Sequence, residues 1–534
     1  MQRTFNLADL FEIVAAQVPE RTAVVCGAQR LSYAELDARA NRLAALLQQR
    51  GVGPGDTVGL QLYNGPEYLE GFLAACKLRA LAVNINYRYV ADELRYLYAD
   101  AQLKALIYSA PLAAVVEPVL PDFPGIALAL RTGADYEAGV AAAPTSYVLP
   151  QRSDEDIMLL YTGGTTGMPK GVMWPHRALF FGALGGGGFY RREGPVSWPE
   201  ELGDVARDGF PLRFFPVAPL IHGAAQWATL ASLFAGHTVL IRDEVEFNAE
   251  KVWDLAAREQ ANIMSIVGDA MAMPLLNALK AHPGRWDLSK LMNFGSGGGL
   301  FSAHVQAELR ERLGGAAVND SMGSSEGGVL GGGSRPTEGE GFIRLAPRPD
   351  IAVIAEDRSR LVGPGERGLL VRVGHVPVGY FGDPEKSAQT FFAFEGRRYV
   401  NTGDMARVDA DGSIVVLGRG SQCINTGGEK VHPEEVEEVL HRYPGVEDAL
   451  VVGIPDPVWG QRVSAAISLR DGAAPDAEAV RAFCHQHLAG YKVPKSLMFV
   501  DRIVRSPAGK ADYRWARQQL EAGLEAISQA LQKN

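Results

Sequence analysis

Residues 156–171 read DIMLLYTGGTTGMPKG, an apolar run of strand length that empties into glycines and threonines around a single lysine. A strand feeding such a loop is a feature of α/β architecture. Bare glycine backbone exposes N–H groups as an anion-binding concavity, threonine hydroxyls add donors, and Lys170 adds charge. The segment therefore reads as a phosphate cradle. A Walker A loop requires lysine directly after glycine and a hydroxyl directly after lysine. Lys170 follows Pro169 and precedes Gly171, so that reading fails. No G-x-G-x-x-G with a downstream acid fits the stretch either, which removes the dinucleotide fingerprint.

The rest of the chain agrees with layered α/β structure. The segment SYAELDARANRLAALLQQRGV places Leu36, Ala40, Leu43, Leu46 and Leu47 on one helical face, and Gly51 stops it. GDTVGLQLYN reads as a buried strand and PEYLEGFLAACKLRA as a further helix. The alternation predicts a mostly parallel sheet. Glycine clusters near Gly185, Gly297 and Gly331 read as loops where the backbone turns tightly or approaches a ligand. After GSIVVLGRG the pattern changes to helix PEEVEEVLHRY, strands DALVVGIP and RVSAAISL, helix DAEAVRAFCHQHL and strand SLMFVD. At 534 residues the chain is too long for one core. A large body over residues 1–419 and a small α+β domain over 420–534 are expected.

Composition narrows the function classes. A net charge of −10, spread along the chain without a lysine/arginine run, disfavours nucleic acid. The four cysteines, Cys26, Cys76, Cys423 and Cys484, form no CxxC pair, so neither a disulfide framework nor a thiolate zinc site is expected. Cys484 and His487 in CHQH lack a second ligand pair and read as structural. Asp9 and Glu12 break what would be a signal-peptide core, and no apolar stretch approaches membrane-span length. A soluble, cytoplasmic protein is expected.

Five segments together resemble the adenylate-forming enzymes: acyl-CoA synthetases, peptide-synthetase adenylation domains and luciferases. They are YTGGTTGMPKGV at 161–172, SMGSSEGG at 321–328, YVNTGDMARVDADGSIVVLGR at 399–419, INTGGEKVHPEEVE at 424–437 and RSPAGKADYR at 505–514. Their order is that of the family over essentially the whole chain. The resemblance implies a large N-terminal body of α/β subdomains with layered sheets and a small mobile α+β C-terminal domain. It implies ATP, Mg²⁺ and CoA as cofactors and substrates, and two half-reactions. A carboxylate first attacks the α-phosphate of ATP to give acyl-adenylate and pyrophosphate; a thiol then takes the acyl group and AMP leaves.

By the same resemblance, Thr162, Gly163, Gly164, Thr165, Thr166 and Lys170 hold the β- and γ-phosphates. Glu326 coordinates Mg²⁺, with Ser324 and Ser325 beside it. Met322 and Gly323 stand against the adenine, Met322 where the family usually has an aromatic residue, with Gly297 and Gly298 as the opposite wall. Asp404 accepts the ribose hydroxyls and Arg419 follows at the domain junction. Lys510 is the catalytic cation of the first step. For the second step the small domain turns about Ser421, bringing Gly428 to the pantetheine tunnel and Lys430 near the thiol or phosphate side. His222 and Trp227 border the acyl pocket, although His222 reads equally well as a core histidine. The absence of a carrier-protein motif after Lys510 favours free CoA as acceptor. The variants GSSEGG and GRGSQCINTGGEKV are most similar to the branch activating fatty, steroid side-chain and other bulky acids. An aryl-acid ligase and a catalytically silent nucleotide-binding homologue remain as alternatives, and a homodimer is compatible with all of them.

Overall fold

The computed structural model describes residues 3–148, 150–162, 169–191, 193–299, 301–333, 343–419, 422, 424–426, 429–456, 459–488, 490–505 and 511–532. Two large sheets carry the body. The first has seven strands in the order Gly379–Tyr380, Lys170–Pro175, Ile157–Thr162, Leu81–Asn84, Thr57–Gln61, Leu103–Tyr108 and Leu128–Arg131. The last five run parallel and the first two antiparallel. The second has eight strands: Gly328–Gly333, Ala317–Ser324, Asn293–Gly297, Ile263–Ile266, Arg213–Pro216, Thr238–Ile241, Thr22–Cys26 and Gln29–Ser32. Its inner six are parallel and each edge strand is antiparallel. Parallel strands demand helical crossovers, which is why helices cover both sheets.

The helix Tyr33–Gln49 shows how local sequence sets these elements. Ser32 caps it, accepting from the Glu35 backbone N–H, while the Glu35 carboxylate accepts from Ser32 N–H. Leu36, Ala40, Leu43, Leu46 and Leu47 are all buried, as the periodicity predicts. The helix packs against Pro66–Lys77, whose Lys77 is fully buried and donates to Glu12 at 2.7 Å and Asp37 at 2.8 Å. A buried ammonium is tolerable only with such pairing.

A third sheet is antiparallel, built around Arg367–Val373 and Arg397–Val408. The smaller C-terminal domain has its own five strands. Gly460–Leu469 pairs with Val446–Asp456 and Ile424–Thr426 antiparallel and with Ser496–Val500 parallel. Helix Pro433–Arg442 buries Val436, Val439 and Leu440 in a core shared with Val480 and Cys484. Every strand and helix expected after residue 430 is present.

The glycine clusters divide. Around Gly185 the chain does turn tightly, with positive φ at Gly185, Gly186 and Gly187. Gly297 ends a strand, and Gly331 lies inside one, antiparallel to Ala317–Ser324. The expectation of a loop at Gly331 is therefore corrected. Glycine there leaves room for Leu345, whose Cδ2 would stand 2.9 Å from an added Cβ and would have to shift.

Among the described residues no helix is long and apolar enough to cross a membrane. Cys26, Cys76 and Cys484 are free thiols.

Candidate active site

The two large sheets and the small domain enclose a cavity of about 1600 Å³. Its wall contains Thr162, His222, Trp227, Gly297, Gly298, Met322, Gly323, Ser324 and Ser325, which brings together residues from four separate stretches of sequence. Gln422 and the segment following Ala511 close it from the small domain. Lys170, Glu326 and Asp404 are not part of this wall, although Lys170 pairs with Thr162 and Glu326 follows Ser325. Gly163, Gly164, Thr165, Thr166, Ser421, Gly428 and Lys510 lie outside the described residues, as do the side chains of Arg419 and Lys430.

The phosphate segment springs from a hairpin. Thr162 pairs with Lys170 across antiparallel strands, so both stems of the glycine-rich stretch are fixed. Asn84 ties the stem to the acyl side: its side-chain oxygen accepts from Tyr161 N–H at 2.7 Å, and its amide donates to the carbonyls of Tyr161 and Ile221. The Lys170 ammonium forms an ion pair with Asp383 and lies 5.9 Å from the Tyr380 ring centre. The Tyr380 hydroxyl donates to Glu326 Oε1 at 3.0 Å. Asp383 and Tyr380 therefore join Lys170 to Glu326, two residues 156 positions apart in number that sequence reading treated separately. The only sequence signal for them is the turn GYFGDPEK, in which Asp383 also caps helix Pro384–Thr390.

Glu326 sits in the tight connection between strands Ala317–Ser324 and Gly328–Gly333. Ser324 Oγ accepts from Gly327 N–H at 2.8 Å, and Trp174 Nε1 donates to the Ser325 carbonyl at 2.8 Å. Arg372, 2 % exposed, holds the hairpin from beneath. It donates to the carbonyls of Gly182, Gly327 and Val329 and pairs with Asp350 Oδ2 at 2.8 Å. Gly323 has no substitute, because a Cβ would stand 2.6 Å from the Gly328 carbonyl oxygen. On the opposite wall Ser321 donates to the Ser296 carbonyl, and Gly298 has φ +85°. Asp404 is buried and lies directly across the ladder from Arg419.

At the end of the cavity expected to take the acid, His222 stands at the N-cap position of helix Gly223–Phe234 without a side-chain capping bond, and Trp227 packs edge-on against Trp174. Gly223, Ala224 and Ala228 present almost no side chain to the cavity, so the space beside Trp227 stays open.

The small domain carries a buried polar cluster that includes Arg505, the residue preceding the segment with Lys510. Arg505 and Ala511, its two flanks, pair as an antiparallel bridge. Arg505 forks onto Asp448 at 2.8 and 2.6 Å. His441 has Nδ1 2.7 Å from the Glu437 carbonyl and Nε2 3.1 Å from Asp448 Oδ1. Both ring nitrogens face acceptors, so both must donate and the ring is an imidazolium. Burial pulls the His441 pKa down, but the Asp448 hydrogen bond and charge outweigh it and the net shift is upward. Asp448 is held well below the usual range: burial raises it, and the bonds from His441 and Arg505 overcome that.

Glu437, fully buried, is pushed up to about 8, chiefly by burial and then by the Glu434 charge, against the Val451 N–H, Arg505 and His441. Its folded pKa lies above the unfolded value of 4.5, so the unfolded state releases this proton first and stability falls as pH rises between the two. Glu437→Gln removes that loss, since the amide oxygen still accepts from Val451 N–H and its NH₂ can meet the Tyr513 hydroxyl. The variant is expected to gain on wild type from about pH 5 to about pH 8 and then level off, measured as denaturant midpoints across that range.

With this geometry in place, comparison with known proteins identifies the class. The chain belongs to the AMP-binding enzyme family: the AMP-binding enzyme model matches residues 11–381, and the model of its C-terminal domain matches 435–510. It is 41 % identical over 548 aligned residues to a medium/long-chain-fatty-acid–CoA/3-oxocholest-4-en-26-oate–CoA ligase of Mycobacterium marinum, covering 98 % of both chains. It is 40 % identical to the 3-oxocholest-4-en-26-oate–CoA ligase of Rhodococcus rhodochrous, covering 96 % of both. Among solved structures, ATP-bound MatB from Rhodopseudomonas palustris superposes with a TM-score of 0.81 at 26 % identity, over 97 % of this chain and 99 % of that one.

Proposed function

We propose that the chain is an AMP-forming acid:CoA ligase that activates a bulky apolar carboxylic acid, a medium- or long-chain fatty acid or a steroid side-chain acid, in the cytoplasm. The observation that carries the choice of acid is the open acyl end of the cavity. Small residues at Gly223, Ala224 and Ala228 leave room beside the Trp227 ring, a wall suited to broad apolar groups. Two relatives of about 40 % identity over nearly the whole chain are named for acids of this kind.

In this reading the acid's carboxylate points from the Trp227 end toward the phosphate hairpin. Thr162 donates its hydroxyl to phosphate oxygen, and Lys170 leaves Asp383 to do the same. The residues fit a magnesium ion arriving with the nucleotide. Among the described residues Glu326 accepts only from Tyr380, at one oxygen, so the other could serve a hard cation. When bound, the ion neutralises charge on the transferring phosphate. Asp404 orients the ribose, and Arg419, opposite it in the ladder, marks the end of the body at residue 419. Lys510 stabilises the charge that develops as the carboxylate attacks. The domain from 420 onward then turns about Ser421, exchanging Lys510 for Gly428 and Lys430 at the site.

The test is pyrophosphate release with ATP, Mg²⁺ and a panel of fatty, steroid side-chain and aryl carboxylates, with and without CoA. Release with the apolar acids and CoA-dependent thioester formation are expected. Preference for aryl acids, or release with no acid, overturns the reading.

A further inference from the structure

Among the described residues four charged side chains line the cavity, and two of them have their charge committed within the protein. Arg348 forks onto Asp350 at 2.9 and 2.7 Å. Asp512 accepts from the Trp515 N–H at 2.9 Å as a helix cap. The others, Arg514 and Arg517, lie on helix Tyr513–Gln532 and face the cavity. Neither makes an ion pair or side-chain hydrogen bond to any described residue, and both are exposed.

Fold stability does not account for the pair. Arg514 falls in the first turn, where a cation opposes the helix macrodipole. The helix is held instead by Ala516 and Leu520, both buried against the small domain's sheet. A spacing of three puts the two guanidiniums side by side on the face turned toward the cavity. The acid substrate brings a single carboxylate, and its apolar body belongs at the Trp227 end. Two adjacent planar forks match a phosphoanhydride, in which neighbouring phosphates each accept a bidentate pair.

We propose that Arg514 and Arg517 form a diphosphate clamp, by which the small domain grips a nucleotide-linked substrate at the mouth of the cavity. The inference rests on the ligase reading above. That reading supplies two sources of the same chemistry: the terminal phosphates of ATP and the diphosphate of CoA.

The experiment uses the full chain and the double variants Arg514→Ala/Arg517→Ala and Arg514→Lys/Arg517→Lys, with thermal melts to confirm folding. One arm measures acid-dependent pyrophosphate–ATP exchange without CoA. The other measures thioester formation from chemically prepared acyl-adenylate and CoA. Loss of two charge-assisted contacts is expected to raise KM for one nucleotide by about 10- to 100-fold, with kcat changed far less. The lysine pair should recover part of the loss, since it keeps the charge without the fork. The arm that responds names the source. Unchanged KM in both arms overturns the clamp while leaving the ligase reading intact. Calorimetric titration of ATP and of CoA, without turnover, separates the two further. If wild type fails to turn over any acid but binds one nucleotide that the alanine pair does not, the clamp stands and the ligase reading falls. Equal binding by both proteins removes the clamp.

Discussion

Lys510→Ala will lower acid-dependent pyrophosphate exchange by about 10²- to 10³-fold, while conversion of preformed acyl-adenylate and CoA to thioester stays near the wild-type rate. The split follows from when the charge is needed. A lysine ammonium bridging the attacking carboxylate and the phosphate oxygens acts only as negative charge builds up there, and the thiol step builds charge elsewhere. The structure supplies a foundation for such a residue. The flanks of its segment, Arg505 and Ala511, are bridged, and Arg505 is fixed by the Asp448–His441 pair beneath. Equal losses in both half-reactions would remove Lys510 from this role.

Arg372→Leu is expected to be the most destabilising single change near the site, costing about 3–5 kcal/mol in a denaturant titration. The leucine fills the space but donates nothing, so the carbonyls of Gly182, Gly327 and Val329 lose their shared donor and Asp350 keeps only Arg348. Two of those carbonyls belong to the hairpin that carries Glu326. The same variant should therefore raise KM for MgATP even at temperatures where it is fully folded. A large fall in stability with unchanged KM would mean that the hairpin keeps its shape without the arginine.

Much of the fold could be read from periodicity because the relevant signals are local. The helix at 33–49 carries its apolar stripe and its stop within 20 residues of one another, and both act where expected. The chemistry was legible for a different reason: the motifs at 161–172 and 321–328 are dense in residue types that few other contexts use. What was not legible depends on partners distant in the chain. Nothing near Gly331 announces a strand, because its neighbour across the ladder and Leu345 decide that. Arg372 sits in an unremarkable strand sequence and acquires its role only when three carbonyls converge on it. Lys170 looked like a free cation because its counter-ion is more than 200 positions away.

That counter-ion changes what an incoming nucleotide encounters. The Lys170–Asp383 pair is about one-third exposed and carries no net charge. Phosphate binding at this hairpin, as proposed, exchanges one anion for another, and the released Asp383 carboxylate must regain water. Under the proposed function, a hairpin whose lysine is already neutralised leaves selectivity to ligands with enough charge to displace a carboxylate, which favours a nucleoside triphosphate over an inorganic monoanion.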